Sequence, residues 1–195
     1  LDRRIGSTFL HPGPGYGGSC FPKDTLALAR TAVEVGSPMR IVEAVTTVNA
    51  ARKERMAEKI TTACGGSVKG KAIAVLGLTF KPNTDDMREA PSLNIIASLK
   101  KSGASVRVFD PEGMEEAKAM LDGVDWCSDS YDAVTGVDAV AIVTEWNEFR
   151  ALDLDRIKSL MKVPVMVDLR NIYNPEEMAA AGFQYTCVGR ASGTA

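Results

Sequence analysis

The sequence predicts an α/β protein: a helical segment with a long linking helix, followed by a Rossmann-like doubly wound parallel sheet. Three observations carry this reading. From about residue 69 onward, short apolar runs alternate with helical stretches, and strands separated by helices pair in parallel. Before that point the chain shows two helical patterns and no convincing apolar strand. Gly36-Ser37-Pro38 and Gly65-Gly66 punctuate those two helices as stop and start signals.

The chain opens on Leu1-Asp2-Arg3-Arg4-Ile5-Gly6, without an initiator methionine and with the pattern of a helix interior, so a fragment is expected. A first helix is predicted over 22–35, with Pro22 in its first turn and Gly36 as its stop. Leu26, Leu28, Ala29, Ala32 and Val33 supply its apolar side. Ser37-Pro38 reads as an N-cap with proline at the first helical position, opening a second helix that runs to about residue 63. Ile41, Val45, Val48, Met56 and Ile60 mark its apolar stripe. At 1.5 Å per residue this helix is roughly 39 Å long. Its later half, from Arg52-Lys53-Glu54-Arg55 to Glu58-Lys59, is charged around much of its circumference. Such a helix bridges domains or lies against a partner subunit. For any single one of those charges, a solvated face is explanation enough.

Residues 67–71 mark the boundary. The organisation is therefore 1–68 as the end of a helical region, 69–190 as the sheet domain, and 191–195 as a frayed tail. Strands are predicted at 72–77, 106–109, 139–143, 165–167 and 183–187, with a weak one at 124–127. Helices are predicted at 91–101, 112–121, 129–134, 153–161 and 175–181.

The totals narrow the function classes. A chain of 195 residues holds one large or two small domains, and 45% hydrophobic residues is ordinary for a globular protein. A net charge of −2 gives no nucleic-acid footprint. No apolar run approaches a membrane span, and no signal peptide is expected. Cys20, Cys64, Cys127 and Cys187 are far apart, which argues against a zinc site or disulfide framework and suits a reducing cytoplasm. The single His11 has no partner histidine, so no metal site is expected.

The chemistry concentrates in Gly13-Pro14-Gly15-Tyr16-Gly17-Gly18-Ser19-Cys20-Phe21-Pro22-Lys23-Asp24. Glycines let a backbone approach a ligand closely, here as a flexible floor. Cys20 then stands at a helix start, with Lys23 and Asp24 in the first turn. A helix N-terminus and a nearby ammonium both favour thiolate over thiol. Taken alone, a tight loop with an incidental cysteine explains most strings of this kind. Gly13, Gly15 and Gly18 satisfy the dinucleotide pattern G-x-G-x-x-G, but no strand precedes them and Pro22 does not suit the crossover helix. The true first βα turn follows residues 72–76 and contains only Gly77, so the sheet has Rossmann-like wiring without the NAD-binding turn. Ligands of open α/β sheets gather beyond the carboxyl ends of the strands. There the sequence places Phe80 and Lys81, then Asp110 and Pro111, then Thr144, Glu145 and Trp146, and finally Asp168 and Arg170. Lys81 and Arg170 suit a phosphate or ribose. Asp110 reads as a turn-former and Trp146 as a residue that caps the core.

Two long strings resemble a known family. Gly-Tyr-Gly-Gly-Ser-Cys-Phe-Pro-Lys-Asp at 15–24 is similar to the nucleophile loop of the UDP-glucose/GDP-mannose dehydrogenases. The resemblance extends upstream to Arg4-Ile5-Gly6 and downstream to Gly-Leu-Thr-Phe-Lys-Pro-Asn-Thr-Asp-Asp-Met-Arg-Glu at 77–89. It implies two NAD-dependent oxidations at C6 of a nucleotide sugar, through a thiohemiacetal and a thioester on Cys20, with Asp24 helping to activate water. It implies substrate contacts from Phe9, Leu10, His11, Pro12, Gly13, Tyr16, Gly17, Phe80, Lys81 and Arg170, and from Arg4 reaching a neighbouring subunit's site. Cys20, Lys23 and Arg88 are implied as contacts to NAD, which is held mainly by an N-terminal domain that lies upstream in the family. UDP-glucose leads as substrate, with UDP-N-acetyl sugars and GDP-mannose behind it. A homodimer or higher homo-oligomer is expected through the long helix. Two other readings stay open from the residues: a nucleotide-sugar-binding module without catalysis, and a structural αβ domain whose long helix mediates dimerisation.

Overall fold

A computed structural model of the protein describes Gly6 and residues 10–190. Two helices come first, α1 (Phe21–Glu34) and α2 (Arg40–Ala63). Pro22 lies in the first turn of α1, where its missing N–H leaves no bond unmade. At the other end Gly36 N–H donates to Val33 O at 3.0 Å and Ser37 N–H to Ala32 O at 2.8 Å, which satisfies carbonyls of the last turn. Ser37 is thus used in closing α1 and does not cap α2. Met39 holds the N-cap position of α2 and makes no side-chain bond, so that helix starts later than Ser37-Pro38 signals.

The stripe expected along α2 divides into two parts. Met56, Ala57 and Ile60 are buried, and Lys53 with them, whereas Ile41, Val45 and Val48 are exposed, Ile41 at 82%. The charged half is therefore the half that enters the core. On α1, Leu26, Leu28 and Val33 are exposed and only Pro22 and Ala32 are buried.

Six strands follow: β1 (Ala72–Leu76), β2 (Ser105–Phe109), β3 (Asp125–Trp126), β4 (Ala139–Ile142), β5 (Val165–Asp168) and β6 (Gln184–Cys187). All pair in parallel in the order β3-β2-β1-β4-β5-β6. This is the doubly wound order, with its switch point between β1 and β4. The connecting helices are α3 (Pro91–Lys101), α4 (Met114–Lys118), α5 (Ser130–Val134), α6 (Asn147–Arg150), α7 (Leu154–Leu160) and α8 (Pro175–Ala180). Asp129, Asp153 and Asn174 cap α5, α7 and α8, each accepting a backbone N–H of the first turn. α6 has no counterpart in the sequence reading, because four residues are too few to show a helical period.

Successive strand residues face opposite layers. Ile73, Val75, Val106, Val108, Ala141 and Val167 pack with Met56 and Ile60 of α2 and with Ile95, Ile96 and Leu99 of α3. Ala74, Leu76, Val140, Ile142 and Met166 pack on the other face with Ala133, Phe149, Ile157 and Met178. α2 is thus part of one layer of the α/β core.

The turn after β1 is organised by a carboxylate. Asp110, 1% exposed at the end of β2, accepts through Oδ2 from Leu78 N at 2.6 Å, Thr79 N at 3.1 Å, Thr79 Oγ1 at 3.2 Å and Trp146 Nε1 at 3.1 Å. Its Oδ1 accepts from Glu112 N at 3.0 Å and Gly113 N at 2.8 Å, which delays the start of α4 relative to the expected helix at 112–121. Trp146 thus does more than cap the core, since its indole N–H belongs to this network. A dinucleotide-binding fold turns the donors of its first βα turn toward a pyrophosphate. Here Asp110 fills them. Replacing Asp110 with Ala orphans several buried donors at once, so unfolding in urea should show a loss of at least about 3 kcal/mol.

Candidate active site

The loop 13–20 lies in a notch between α2 and the turn that joins β1 to α3. Asn49 of α2 pairs with the backbone of Tyr16 in both directions: Tyr16 N–H donates to Asn49 Oδ1 at 2.8 Å, and Asn49 Nδ2 donates to Tyr16 O at 3.1 Å. Arg52 Nε donates to Gly13 O at 2.6 Å. On the other side, Gly18 N–H donates to Arg88 O at 2.8 Å. A methyl group on Gly17 would overlap the Glu89 carbonyl oxygen and stand 3.0 Å from Phe80 Cβ, and one on Gly18 would meet the Phe80 ring at 2.9 Å. One on Gly13 would lie 2.5 Å from Arg170 Nη1. The glycines thus permit close approach, but to the protein's own backbone and side chains, and the floor expected to be flexible is packed.

Cys20 occupies the N-cap position of α1 with its side chain exposed, 3.7 Å from Ser19 Oγ. Its carbonyl accepts from Asp24 N at 2.8 Å, which opens the helix. Lys23 Nζ lies 2.7 Å from Asp24 Oδ1, with both side chains exposed. The hydrogen bond to Asp24 raises the Lys23 ammonium above its ordinary value, with a lesser contribution from Cys20. Arg88 clasps Asp86 through Nε at 2.9 Å and Nη2 at 2.8 Å. This bond holds Asp86 below the usual carboxylate range and raises Arg88, to which Cys20 again adds. Cys20 is thus flanked by two cations, each already committed to a carboxylate.

At the switch point, Arg170 follows β5 and reaches across β4 toward the turn after β1. Its Nε donates to Val143 O at 3.1 Å and its Nη2 to Phe80 O at 3.2 Å. Glu145 Oε2 lies 2.6 Å from the same Nε, yet that N–H is aimed at Val143 O; Oε2 is the one buried side-chain oxygen among the described residues without an aligned hydrogen bond. Burial pulls the Arg170 guanidinium below its ordinary value, against the upward pull of Glu145 and Asp168. Asp168, fully buried, accepts from Arg170 N at 2.9 Å, Tyr173 N at 3.0 Å and the Tyr185 hydroxyl at 2.8 Å. Lys81 Nζ stands 5.2 Å from the centroid of the Phe80 ring.

The structure therefore gathers Gly13, Gly17, Phe80, Lys81 and Arg170 on one edge, with Arg88 and Cys20 beside it. The Tyr16 and Phe21 rings meet edge to face with centroids 6.1 Å apart, while Leu10, His11 and Pro12 are exposed. Arg4 and Phe9 lie outside the described residues. Sequence reasoning missed Asn49, Arg52 and Lys53, which hold the loop from behind. Their signal was present: they share one face of α2 with Met56, and a polar residue inside an apolar stripe needs a partner.

Residues 74–175 match the model of the UDP-glucose/GDP-mannose dehydrogenase family, UDP binding domain, and residues 1–51 that of the family's central domain. The chain belongs to the UDP-glucose/GDP-mannose dehydrogenase family. It is 57% identical over 190 residues to a UDP-glucose 6-dehydrogenase of Rhizobium meliloti (strain 1021), covering 97% of this chain and 44% of that protein. It is 47% identical to UDP-glucose 6-dehydrogenase TuaD of Bacillus subtilis (strain 168), over 97% of this chain and 41% of that one. A UDP-glucose dehydrogenase structure from Pyrobaculum islandicum superposes with a TM-score of 0.81 at 38% identity, covering 98% of this chain and 42% of its own. The chain thus spans less than half the length of the curated relatives it matches.

The four cysteines are free, and only Cys20 is exposed. Burial pushes the Cys64, Cys127 and Cys187 thiols up, so they hold less thiolate at neutral pH than an ordinary cysteine. Iodoacetamide at pH 7 should therefore modify Cys20 alone in the folded protein. Peptide mass spectrometry should find the other three labelled only after denaturation.

Proposed function

We propose that this chain supplies the thiol and the nucleotide-binding edge of an NAD-dependent UDP-sugar dehydrogenase, with UDP-glucose as its substrate. The observation that carries this is the docking of the cysteine loop onto the turn that presents Phe80, Lys81 and Arg88, so that thiol and phosphate-binding candidates share one edge. The choice of UDP-glucose rests on relatives at 57% and 47% identity, both named UDP-glucose 6-dehydrogenases.

In this reading Lys81 and Arg170 hold the nucleotide, and Gly13 to Gly17 with Leu10, His11, Pro12 and Phe9 form the sugar loop. Cys20 Sγ adds to the C6 aldehyde carbon, forming the C–S bond of a thiohemiacetal as the carbonyl oxygen takes up a proton. Oxidation of that carbon leaves a thioester. Asp24 accepts a proton from water attacking the thioester carbonyl. The C–S bond then breaks, and uronate leaves with the thiol restored. NAD, when bound, would supply the acceptor for two hydrides, one lost as the C6 alcohol becomes the aldehyde and one as the thiohemiacetal becomes the thioester. The first βα turn of this sheet does not fit a dinucleotide, because Asp110 occupies its donors. Lys23 and Arg88, exposed beside Cys20, do fit its phosphates at the thiol edge. The main NAD-binding domain then lies elsewhere in the longer enzyme. The uncovered Ile41, Val45 and Val48 support a homodimer through α2, with Arg4 crossing to the partner's site. Three buried free thiols suit a cytoplasmic location, and no helix among the described residues is long and apolar enough to cross a membrane.

Calorimetric titration with UDP should show binding to the protein, weakened at least several-fold by Lys81→Ala; equal affinity would remove Lys81 from the site. In the full-length enzyme, Cys20→Ser should lose turnover by many orders while keeping UDP-glucose affinity. Asp24→Asn should slow hydrolysis by about 10²–10⁴-fold and accumulate a covalent adduct on the Cys20 peptide, visible by intact mass spectrometry. Normal turnover by Cys20→Ser would overturn the nucleophile assignment.

A further inference from the structure

Behind the loop lies a charged group that the chemistry above does not use. Lys53 is 5% exposed, and the nearest partner of its Nζ is a main-chain oxygen, not a carboxylate. It donates to the backbone carbonyl of Glu89 at 3.0 Å, and the Glu89 carboxylate is further off at 3.5 Å and largely exposed. Burying an ammonium is costly unless its hydrogen bonds are met. The acceptor it has found is an unusual one. Glu89 sits at φ 53°, in the left-handed region that a residue with a side chain occupies only under strain. The same carbonyl oxygen fills the space that a Gly17 side chain would take, and the next carbonyl back, Arg88 O, receives the Gly18 N–H. The stem of Lys53 lies under the loop as well: a methyl on Gly15 would stand 3.1 Å from Lys53 Cγ and 2.9 Å from Asn49 Oδ1.

From these contacts we infer that Lys53 and Asn49 are positioning residues for Cys20. They form a clamp on one face of α2: Asn49 holds the loop at Tyr16, and Lys53 holds the strained Glu89 carbonyl against which Gly17 packs. The clamp joins three parts of the structure. These are α2, the loop that ends in the thiol, and the 80–89 turn that carries Phe80, Lys81 and Arg88. It therefore sets the distance between the sulfur and a nucleotide held on the sheet edge. Neither side chain touches the reacting atoms. Their effect is on alignment, where a displacement of about 1 Å costs on the order of 10²-fold in rate.

This inference rests on the dehydrogenase reading for its kinetic test, and a second measurement is independent of it. In the full-length enzyme, Lys53→Met keeps the buried stem and removes the ammonium, and Asn49→Ala removes the other half of the clamp. Each should lower kcat for UDP-glucose oxidation at least tenfold while KM for UDP-glucose stays within about threefold. Each should also speed amide hydrogen exchange at Tyr16 and Gly18 at least tenfold, with exchange in β1 and β4 unchanged. A loss that merely follows a falling folded fraction would leave kcat per folded enzyme intact, and that result overturns the inference. So does wild-type kcat together with wild-type exchange. If Lys53→Met does not fold, Asn49→Ala decides by the same two readouts. If wild-type enzyme fails to oxidise UDP-glucose at all, the dehydrogenase reading falls and the exchange result alone decides the clamp.

Discussion

The structure depends on a contact of backbone against backbone. The Glu89 carbonyl oxygen stands where a side chain at Gly17 would be, and Arg88 O receives the Gly18 N–H at 2.8 Å. Only bare main chain fits there, so the loop must carry glycine at 17, while the Phe80 ring and a φ of 84° ask for glycine at 18. Glu89 in turn must hold a left-handed conformation that its side chain disfavours. The thiol, two residues beyond Gly18, takes its place from that contact. So does the start of α1, because Cys20 O accepts the first helical N–H from Asp24. A string read as open to a ligand is thus a packed joint between α2 and the turn that joins β1 to α3.

The sheet shows how one wiring serves two binding modes. Its strand order is that of a dinucleotide fold, yet its first βα turn has a resident carboxylate in Asp110, and the turn's donors are satisfied from within. A phosphate brought to those N–H groups would face a negative charge already seated on them. The cationic side chains at this edge, Lys81 and Arg170, lie outward, beyond the strand ends. Arg170 is itself braced, with Nε on Val143 O and Nη2 on Phe80 O. It ties the ends of β1, β4 and β5 across the switch point and meets the loop at Gly13. A guanidinium held by fixed carbonyls loses little rotamer freedom when it binds a further partner.

α2 explains why the helical part and the sheet part act together. Its second half contributes Met56 and Ile60 to the same layer as α3, so it is core despite its charges. Its first half, with the outer face of α1, leaves Ile41, Val48 and Val33 in solvent. One end of α2 is thus anchored in the α/β core, and the other end is exposed.

The sequence alone determined the fold class and nearly every element, because strands such as β1 and β4 are compact apolar runs and α5, α7 and α8 carry their own caps at Asp129, Asp153 and Asn174. It also determined the thiol and its loop, since cysteine, proline, lysine and aspartate at that spacing form one local string around a helix start. What it could not determine was anything set by residues far apart in the chain. Ser37 looked like the cap of α2 and closes α1; the choice depends on which carbonyls stand nearby. Asp110 looked like a turn residue and is the hub of a buried network reaching Leu78 and Trp146. Lys53 looked like a solvated charge and is buried on a carbonyl of residue 89. Local periodicity reports which side of an element prefers to be buried. Only the tertiary structure decides what it is buried against, because burial brings together groups whose separation along the chain carries no pattern.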